Sequence, residues 1–155
     1  MMPGLSLFIK MSMCMHFEYQ INGGDFTNAG VASSQLKKIL KQLNIDFRLI
    51  KRIVVALYEA EVNVVAHAYH GSIYVDIDTS KIIIVIEDEG PGISDIDLAM
   101  QEGFSTASQQ VREMGFGAGM GLPNIKRNSD ELNITSNPGS GTRLQMLHHL
   151  NKQAG

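Results

Sequence analysis

The feature that most constrains the fold is a run of five consecutive apolar residues at positions 82–86. A strand that is apolar on both faces must be covered on at least one side, which is typical of a central strand in a sheet. Gly90-Pro91-Gly92 breaks the pattern shortly afterwards. We therefore predict a central strand over residues 81–88, ended by a glycine-rich turn.

The flanking segments show the periodicities of further strands and helices. Alternation predicts an edge strand over residues 15–21, a strand over 72–78 and closing strands over 132–136 and 142–150. Helical spacing predicts helices over 31–43, 47–69, 95–102 and 120–130. Residues 103–121 are rich in Gly, Ser, Thr and Gln and predict a long, functional or mobile loop. This order of elements predicts a two-layer α/β sandwich, with one sheet and its helices on one face.

Composition indicates one globular domain. The chain has 155 residues, 44% hydrophobic and 19% charged, with a net charge of −3. A protein with this net charge does not have the broad positive field of a general nucleic-acid binder. Its apolar stretches are much shorter than a membrane span. A single cysteine, Cys14, fits a reducing compartment, so we expect a cytoplasmic protein. We expect residues 1–14 to be a ragged leader, 15–150 the domain and 151–155 a tail.

The second predicted helix carries an unusual polar stripe. Glu59, Asn63 and His67 are spaced i, i+4, i+8 on a segment that is otherwise nearly all apolar, and so share one face. Glu61 lies off this face, and we expect it to be solvated. A satisfied polar stripe beneath a loop and a ligand site are about equally good interpretations of the pattern. As a site, Asn63 offers Mg²⁺ a hard oxygen ligand, and Glu59 could accept a proton from a hydroxyl or a water.

The end of the central strand carries Asp88, followed by Gly90 and Gly92. A carboxylate there can accept a hydrogen bond from a ligand amine, while the glycines let the backbone approach closely. A simple strand-ending turn accounts for the same residues, and for this motif alone it is the favoured interpretation.

Four glycines at alternate positions lead into the next predicted helix. Backbone N–H groups of such a loop, together with the helix N-terminus, suit phosphate groups. The spacing is neither that of a dinucleotide-binding fingerprint nor that of a P-loop. A flexible hinge is the alternative, but the alternating spacing favours a phosphate cradle. The four residues are Gly115, Gly117, Gly119 and Gly121.

The histidines do not form a metal motif. His148 and His149 are adjacent on a predicted strand, so they face opposite sides and cannot chelate one ion together. With His67 and His70 they give no zinc-like spacing.

Taken in order, four segments resemble one known family. YEAEVNVVAHAY, IEDEGPGI, GFGAGMGLPNIKR and then Gly141-Thr142 resemble the ATP-binding family shared by gyrase, heat-shock chaperone, histidine-kinase and mismatch-repair ATPases, the GHKL or Bergerat fold. Within that family, the chain resembles the bacterial anti-sigma factor serine/threonine kinases over about residues 15–150. The resemblance implies a mixed, mostly antiparallel sheet, and ATP and Mg²⁺ as cofactors.

The resemblance also implies a role for each motif residue. Asn63 would hold Mg²⁺, Asp88 would bind the adenine amino group, and Thr142 would assist at the adenine through water. Glu59 would be the general base that activates a serine hydroxyl. The glycine loop would fold over the phosphates as a lid. The other residues expected to bind the cofactor are His67, Gly90, Gly92, Gly115, Gly117, Gly119 and Gly121. The sequence departs from the family where the motif often reads His-Gly, since Ala68 follows His67.

Three functions fit these residues. The first is a protein serine/threonine kinase that phosphorylates an anti-sigma antagonist-type partner and controls a sigma factor by binding it. The second is a non-catalytic, ATP-dependent protein-binding switch, and the third is a detached histidine-kinase catalytic domain. In each case the partner is a regulatory protein, with no direct contact to nucleic acid or membrane. Dimerisation of the chain stays open.

Overall fold

The computed structural model describes residues 14–101 and 121–150, which form one sheet and the helices that cover it. The strands are β1 (Met15–Asn22), β2 (His70–Ile77), β3 (Lys81–Glu89), β4 (Glu131–Asn137) and β5 (Gly141–His149). The helices are α1 (Val31–Gln42), α2 (Phe47–His67), α3 (Ile96–Ala99) and α4 (Gly121–Arg127). A short 3₁₀ helix, Phe26–Asn28, precedes α1 and was not predicted. None of the helices in this part of the chain is long and apolar enough to cross a bilayer.

The predicted strands all occur, each with ends within two residues of the prediction. The helices differ more. α2 ends at His67, because Tyr69 donates its N–H to the Glu89 carbonyl and so extends the sheet. α3 has only four residues, and α4 ends at Arg127, where side chains cap its last carbonyls. Most of the predicted loop, the predicted tail and nearly all of the predicted leader lie outside the described residues.

The sheet has the strand order β1-β2-β3-β5-β4, which confirms β1 as an edge strand and β3 as the central one. All four pairings between these described strands are antiparallel, so the parallel part of the expected mixed sheet is not found among them. Part of the reason is that two of the connections between strands are short. The β2–β3 and β4–β5 connections are short hairpins, which can join only antiparallel strands.

The core lies between the sheet and α1 and α2. Alternate residues of the three inner strands face the helices and are buried, which confirms the predicted face of β2. The opposite face of the sheet stays partly or fully exposed. The buried sheet residues are Ile73, Val75, Ile77, Ile82, Ile84, Ile86, Leu144 and Met146. The buried α2 residues that belong to the same core are Ile50, Ile53, Ala56, Leu57, Ala60, Val64 and Val65.

Glu61 is only 3% exposed, so the expectation that it would be solvated was wrong. Its Oε2 accepts the backbone N–H groups of Gly30 (3.0 Å) and Ala32 (3.2 Å). Its Oε1 accepts the N–H (3.1 Å) and the hydroxyl (2.6 Å) of Ser33. α1 begins at a glycine and has no capping side chain of its own. The carboxylate from α2 therefore accepts the N–H groups of Ala32 and Ser33 in the first turn of α1, and it lies at the positive end of the helix dipole.

The Glu61 cap predicts a large and specific loss of stability. Glu61→Gln keeps the volume but removes the charge and brings an amide N–H₂ group close to N–H donors. We expect the free energy of unfolding to fall by roughly 2–3 kcal/mol, since hydrogen bonds to charged groups are each worth about 1.5–3 kcal/mol. Urea unfolding measures this change.

The matched control is Glu87→Gln on the exposed face of β3. Glu87 pairs with Arg143 at 3.2 Å, and both side chains are about half exposed. A surface pair of this kind contributes only about 0–1 kcal/mol. Similar small losses in both variants would show that the cap contributes little.

His148 is buried at 0% exposure on the helix side of β5. Its Nε2 lies 2.8 Å from the Asn128 carbonyl oxygen, and since a carbonyl only accepts, Nε2 carries the proton. Its Nδ1 is buried and has no hydrogen-bond partner within residues 14–101 and 121–150. Burial lowers the pKa of His148. The Asn128 carbonyl and Asp130 act in the opposite sense, and Arg52 adds to the lowering. The neighbouring His149 is exposed, as the strand alternation predicted.

The buried imidazole predicts acid-sensitive stability. At a pH above about 6.5, the usual histidine value, the neutral side chain is favoured in both states. As the pH falls towards the lowered native pKa, the unfolded chain binds a proton that the folded chain does not. The free energy of unfolding should then drop by at most about 1.4 kcal/mol per pH unit.

His148→Gln tests this origin, because the amide still donates to the Asn128 carbonyl but does not titrate. We expect the stability of the variant to depend less steeply on pH between about pH 7 and pH 5 in urea unfolding. His67, whose pKa burial also lowers, is present in both proteins and cancels in the comparison. Parallel stability curves for the two proteins would contradict the assignment.

Candidate functional site

The polar stripe of α2 lies at the margin of the core. Glu59, Asn63 and His67 are each half-buried, whereas the neighbouring Ala60 and Val64 are buried. Burial lowers the pKa of His67, which favours its neutral form. His67 is the last residue of α2.

Asn63 faces the start of α4. A Cβ added to Gly121 would lie 3.0 Å from Asn63 Oδ1 and 3.1 Å from its Nδ2, so the absence of a side chain keeps the amide uncrowded. Within residues 14–101 and 121–150, the Asn63 amide makes no hydrogen bond. A half-buried amide oxygen without a protein partner is available to a ligand.

Glu59 also meets α4, one turn further along that helix. The Nδ2 group of Asn124 donates to Glu59 Oε1 at 3.3 Å. Sequence reasoning did not single out Asn124. The available signal was a polar residue on the short helix that follows the glycine motif, flanked by the apolar Pro123 and Ile125. Gly121 and Asn124 on α4 thus oppose Asn63 and Glu59 on α2.

Asp88 lies near the end of β3, on the same side of the sheet as the buried isoleucines. Its Oδ1 accepts the backbone N–H of Thr142 at 3.1 Å. Burial raises the pKa of Asp88, and the hydrogen bond from Thr142 partly opposes this. The second oxygen, Oδ2, has no hydrogen-bond partner in the described part of the chain. Asp88 therefore offers one anchored and one free acceptor.

Gly71 brings Asp88 close to α2. It is the register partner of Asp88 on β2. A Cβ at Gly71 would lie 2.9 Å from Val64 Cγ1 and 3.3 Å from Asp88 Cβ. Val64 is next to Asn63 in sequence. The absence of a side chain at Gly71 therefore lets the end of β3 that carries Asp88 approach the part of α2 that carries Asn63. Sequence reasoning overlooked this glycine.

The glycines after Asp88 serve close packing. A Cβ at Gly90 would lie 2.9 Å from Ala68 Cα, just beyond the end of α2. Gly92 has a φ of +74°, and its Cβ would lie 2.5 Å from the Asn137 carbonyl oxygen. These contacts give both residues a structural role in the turn. Their predicted contact with a ligand stays a prediction.

Thr142 is held by a residue that sequence reasoning missed. Ser136 Oγ accepts the Ile93 N–H at 2.7 Å and donates to the Gly141 carbonyl at 3.0 Å. Because the Ser136 proton is thereby used, Thr142 donates in the 2.9 Å contact between the two hydroxyls. Ser136 thus ties the turn after Gly92 to the β4–β5 hairpin that carries Thr142.

The remaining predicted site residues, Gly115, Gly117 and Gly119, lie outside the described residues, and their phosphate role stays a prediction. Among the described residues, no three His, Cys, Asp or Glu side chains cluster as a metal cage. Mg²⁺ commonly uses one or two protein oxygens and takes its other ligands from phosphates and water. The free Asn63 amide fits that mode of binding.

Comparison with known proteins supplies the family. The model for "Histidine kinase-, DNA gyrase B-, and HSP90-like ATPase" matches residues 49–152. The serine/threonine-protein kinase RsbT of Bacillus subtilis (strain 168) is 36% identical over 125 residues, which cover 77% of this chain and 88% of RsbT. An anti-sigma F factor of Caldanaerobacter subterraneus subsp. tengcongensis is 33% identical over 130 residues, covering 81% and 87%.

Solved structures agree on the fold. The SiaB-SiaC complex of Pseudomonas aeruginosa aligns with a TM-score of 0.58 at 11% identity, covering 94% of this chain and 95% of that chain. The RsbU and RsbW domains of Rv1364c from Mycobacterium tuberculosis align with a TM-score of 0.53 at 19% identity, covering 90% and 33%. The family model matches most of the chain, so the sequence comparison and the structural comparisons indicate the same fold. The chain therefore belongs to the family of histidine kinase-, DNA gyrase B- and HSP90-like ATPases, whose members bind ATP.

Proposed function

We propose that this chain is an ATP-dependent serine/threonine protein kinase that phosphorylates a regulatory protein of the anti-sigma antagonist type and binds a sigma factor. The observation that carries the proposal is the pairing of two groups on α2. Glu59, with one carboxylate oxygen unpaired within the described residues, lies one turn before the free amide of Asn63. The names of the relatives, RsbT and the anti-sigma F factors, support this assignment.

The site residues divide into two ends. At one end, Asn63 Oδ1 would hold Mg²⁺, which would neutralise charge on the ATP phosphates. At the other end, the free Oδ2 of Asp88 would accept an N–H of the adenine amino group, with Thr142 assisting through water. An acceptor that burial keeps poorly solvated suits a neutral N–H donor.

Glu59 would act as the general base. Its carboxylate takes the proton of a serine or threonine hydroxyl on the partner, and the hydroxyl oxygen forms a bond to the γ-phosphorus. The bond from that phosphorus to the oxygen that leaves with ADP breaks, giving a phosphoprotein and ADP. Glu59 then releases its proton to solvent. A pure binder would need no base next to the amide.

The base assignment predicts a selective loss of turnover. Glu59→Gln should lower phosphate transfer by about 10²–10⁴-fold, the usual contribution of a general base. ATP affinity should change by less than about threefold, since the uncharged amide retains the contact with Asn124. The assay uses radiolabelled ATP, Mg²⁺ and a protein of the anti-sigma antagonist type, with calorimetry for ATP binding.

Glu131→Gln, an exposed change on β4, is the matched control. If Glu59→Gln transfers phosphate normally, Glu59 is not the base. If the wild type binds ATP yet phosphorylates no such protein while ATP alters partner binding, the non-catalytic switch is correct. Transfer only to a histidine of a partner would identify a detached histidine-kinase domain.

Gly121 tests the metal end of the site. Gly121→Ala places a methyl group 3.0 Å from Asn63 Oδ1 and should weaken ATP binding in the presence of Mg²⁺. Binding measured with a chelator present should change less.

Calorimetry with and without Mg²⁺ measures the difference between the two conditions. Gly24→Asn serves as the control, because the space around Gly24 is open and asparagine tolerates its positive φ. Equal loss of affinity with and without Mg²⁺ would contradict a metal role for Asn63.

A further inference from the structure

Asn124 is oriented by the groups on either side of it. Arg127 Nη1 lies 3.2 Å from Asn124 Oδ1, and a guanidinium can only donate. The amide oxygen must therefore face Arg127, which turns the N–H₂ group towards Glu59. A carboxylate accepts, so the 3.3 Å contact to Glu59 Oε1 demands the same orientation. Both neighbours therefore require the same orientation of the Asn124 amide.

The two helices meet with matched spacing. Gly121 and Asn124 are three residues apart on α4, and Asn63 and Glu59 are four residues apart on α2, so each pair lies on one helix face. Gly121 faces Asn63, while Asn124 faces Glu59. Residue numbers rise along α4 as they fall along α2, so the facing segments run antiparallel. The position where Gly121 leaves the Asn63 amide uncrowded is thus one helical turn from the hydrogen bond between Asn124 and Glu59.

The end of α4 is anchored to the sheet behind it. Asn128 Nδ2 donates to the Asn124 carbonyl oxygen at 2.8 Å. The Asn128 carbonyl in turn accepts from the buried His148 Nε2, also at 2.8 Å. Two hydrogen bonds therefore link β5, through Asn128, to Asn124, the residue that contacts Glu59. A contact supported from behind in this way holds a functional side chain in place.

We propose that Asn124 is a positioning residue for phosphoryl transfer: its amide holds one oxygen of the Glu59 carboxylate and leaves the other oxygen to receive the proton. This inference rests on the role of Glu59 in the proposed function. At 3.3 Å the hydrogen bond is long, so its loss should cost about 1 kcal/mol, or roughly fivefold in rate. Asn124 itself takes part in no bond change.

The test measures phosphate release from Mg·ATP with water as the acceptor, so it needs no partner protein. Asn124→Ala should lower kcat about fivefold and leave the ATP dissociation constant within about twofold. Asn124→Asp should cost more, since it opposes one carboxylate with another.

Two further variants distinguish positioning from a structural role. In the Glu59→Gln background, Asn124→Ala should have no further effect on kcat, since the base on which it acts is gone. Lys126→Ala, an exposed change on the same helix, should leave kcat and the ATP dissociation constant unchanged. Urea unfolding of each variant checks that the fold persists.

The possible outcomes separate this inference from the function on which it rests. An unchanged kcat in Asn124→Ala, or an equal loss with and without Glu59, overturns the positioning role. Phosphate release that depends on Glu59 and Asn124, without transfer to any protein, supports positioning and overturns the kinase assignment. A wild-type chain that binds Mg·ATP but neither releases nor transfers phosphate overturns both.

Discussion

Helix α2 is buried along much of its length, and that burial obliges its polar side chains to find partners. Glu61 finds the N-terminus of α1, where two backbone N–H groups and Ser33 surround its carboxylate. Glu59 finds the Asn124 amide on α4. Asn63 finds no hydrogen-bond partner in the described part of the chain. On this helix, Glu61 and Glu59 therefore have protein partners among the described residues, whereas Asn63 is the residue that we propose binds a ligand.

The same packing joins the two ends of the site. Asp88 stands near the end of the central strand, where Thr142 anchors one of its oxygens. Gly71 lets that strand end approach α2, because any side chain there would meet Val64. Asp88 on the sheet and Asn63 on the helix, which we propose bind adenine and Mg²⁺, thus belong to one packed unit. The close contact between helix and sheet at Gly71 therefore helps to fix the position of Asp88 relative to Asn63.

Much of the fold could be predicted because it follows from local pattern. The apolar run at 82–86 became the central strand, and the buried face of β2 lay where the alternation placed it. The motif order also led to the correct family. Errors arose where a distant residue decided the outcome. α2 stops at His67 because Tyr69 hydrogen-bonds to Glu89, and Glu61 is buried because α1 lacks a cap of its own.

The sequence by itself determined the elements, the central strand, the family and which residue types could bind a nucleotide. These depend on periodicity, turn residues and motif spacing, all of which are properties of neighbouring positions. Only the tertiary structure decided the partners of Glu59, Glu61 and Asp88. Whether a carboxylate is solvated or caps a helix depends on which helix packs alongside. The same holds for whether Asn124 lies free on the surface or donates to Glu59. Hydrogen bonds act over about 3 Å, and a linear sequence does not show which distant groups come within that range.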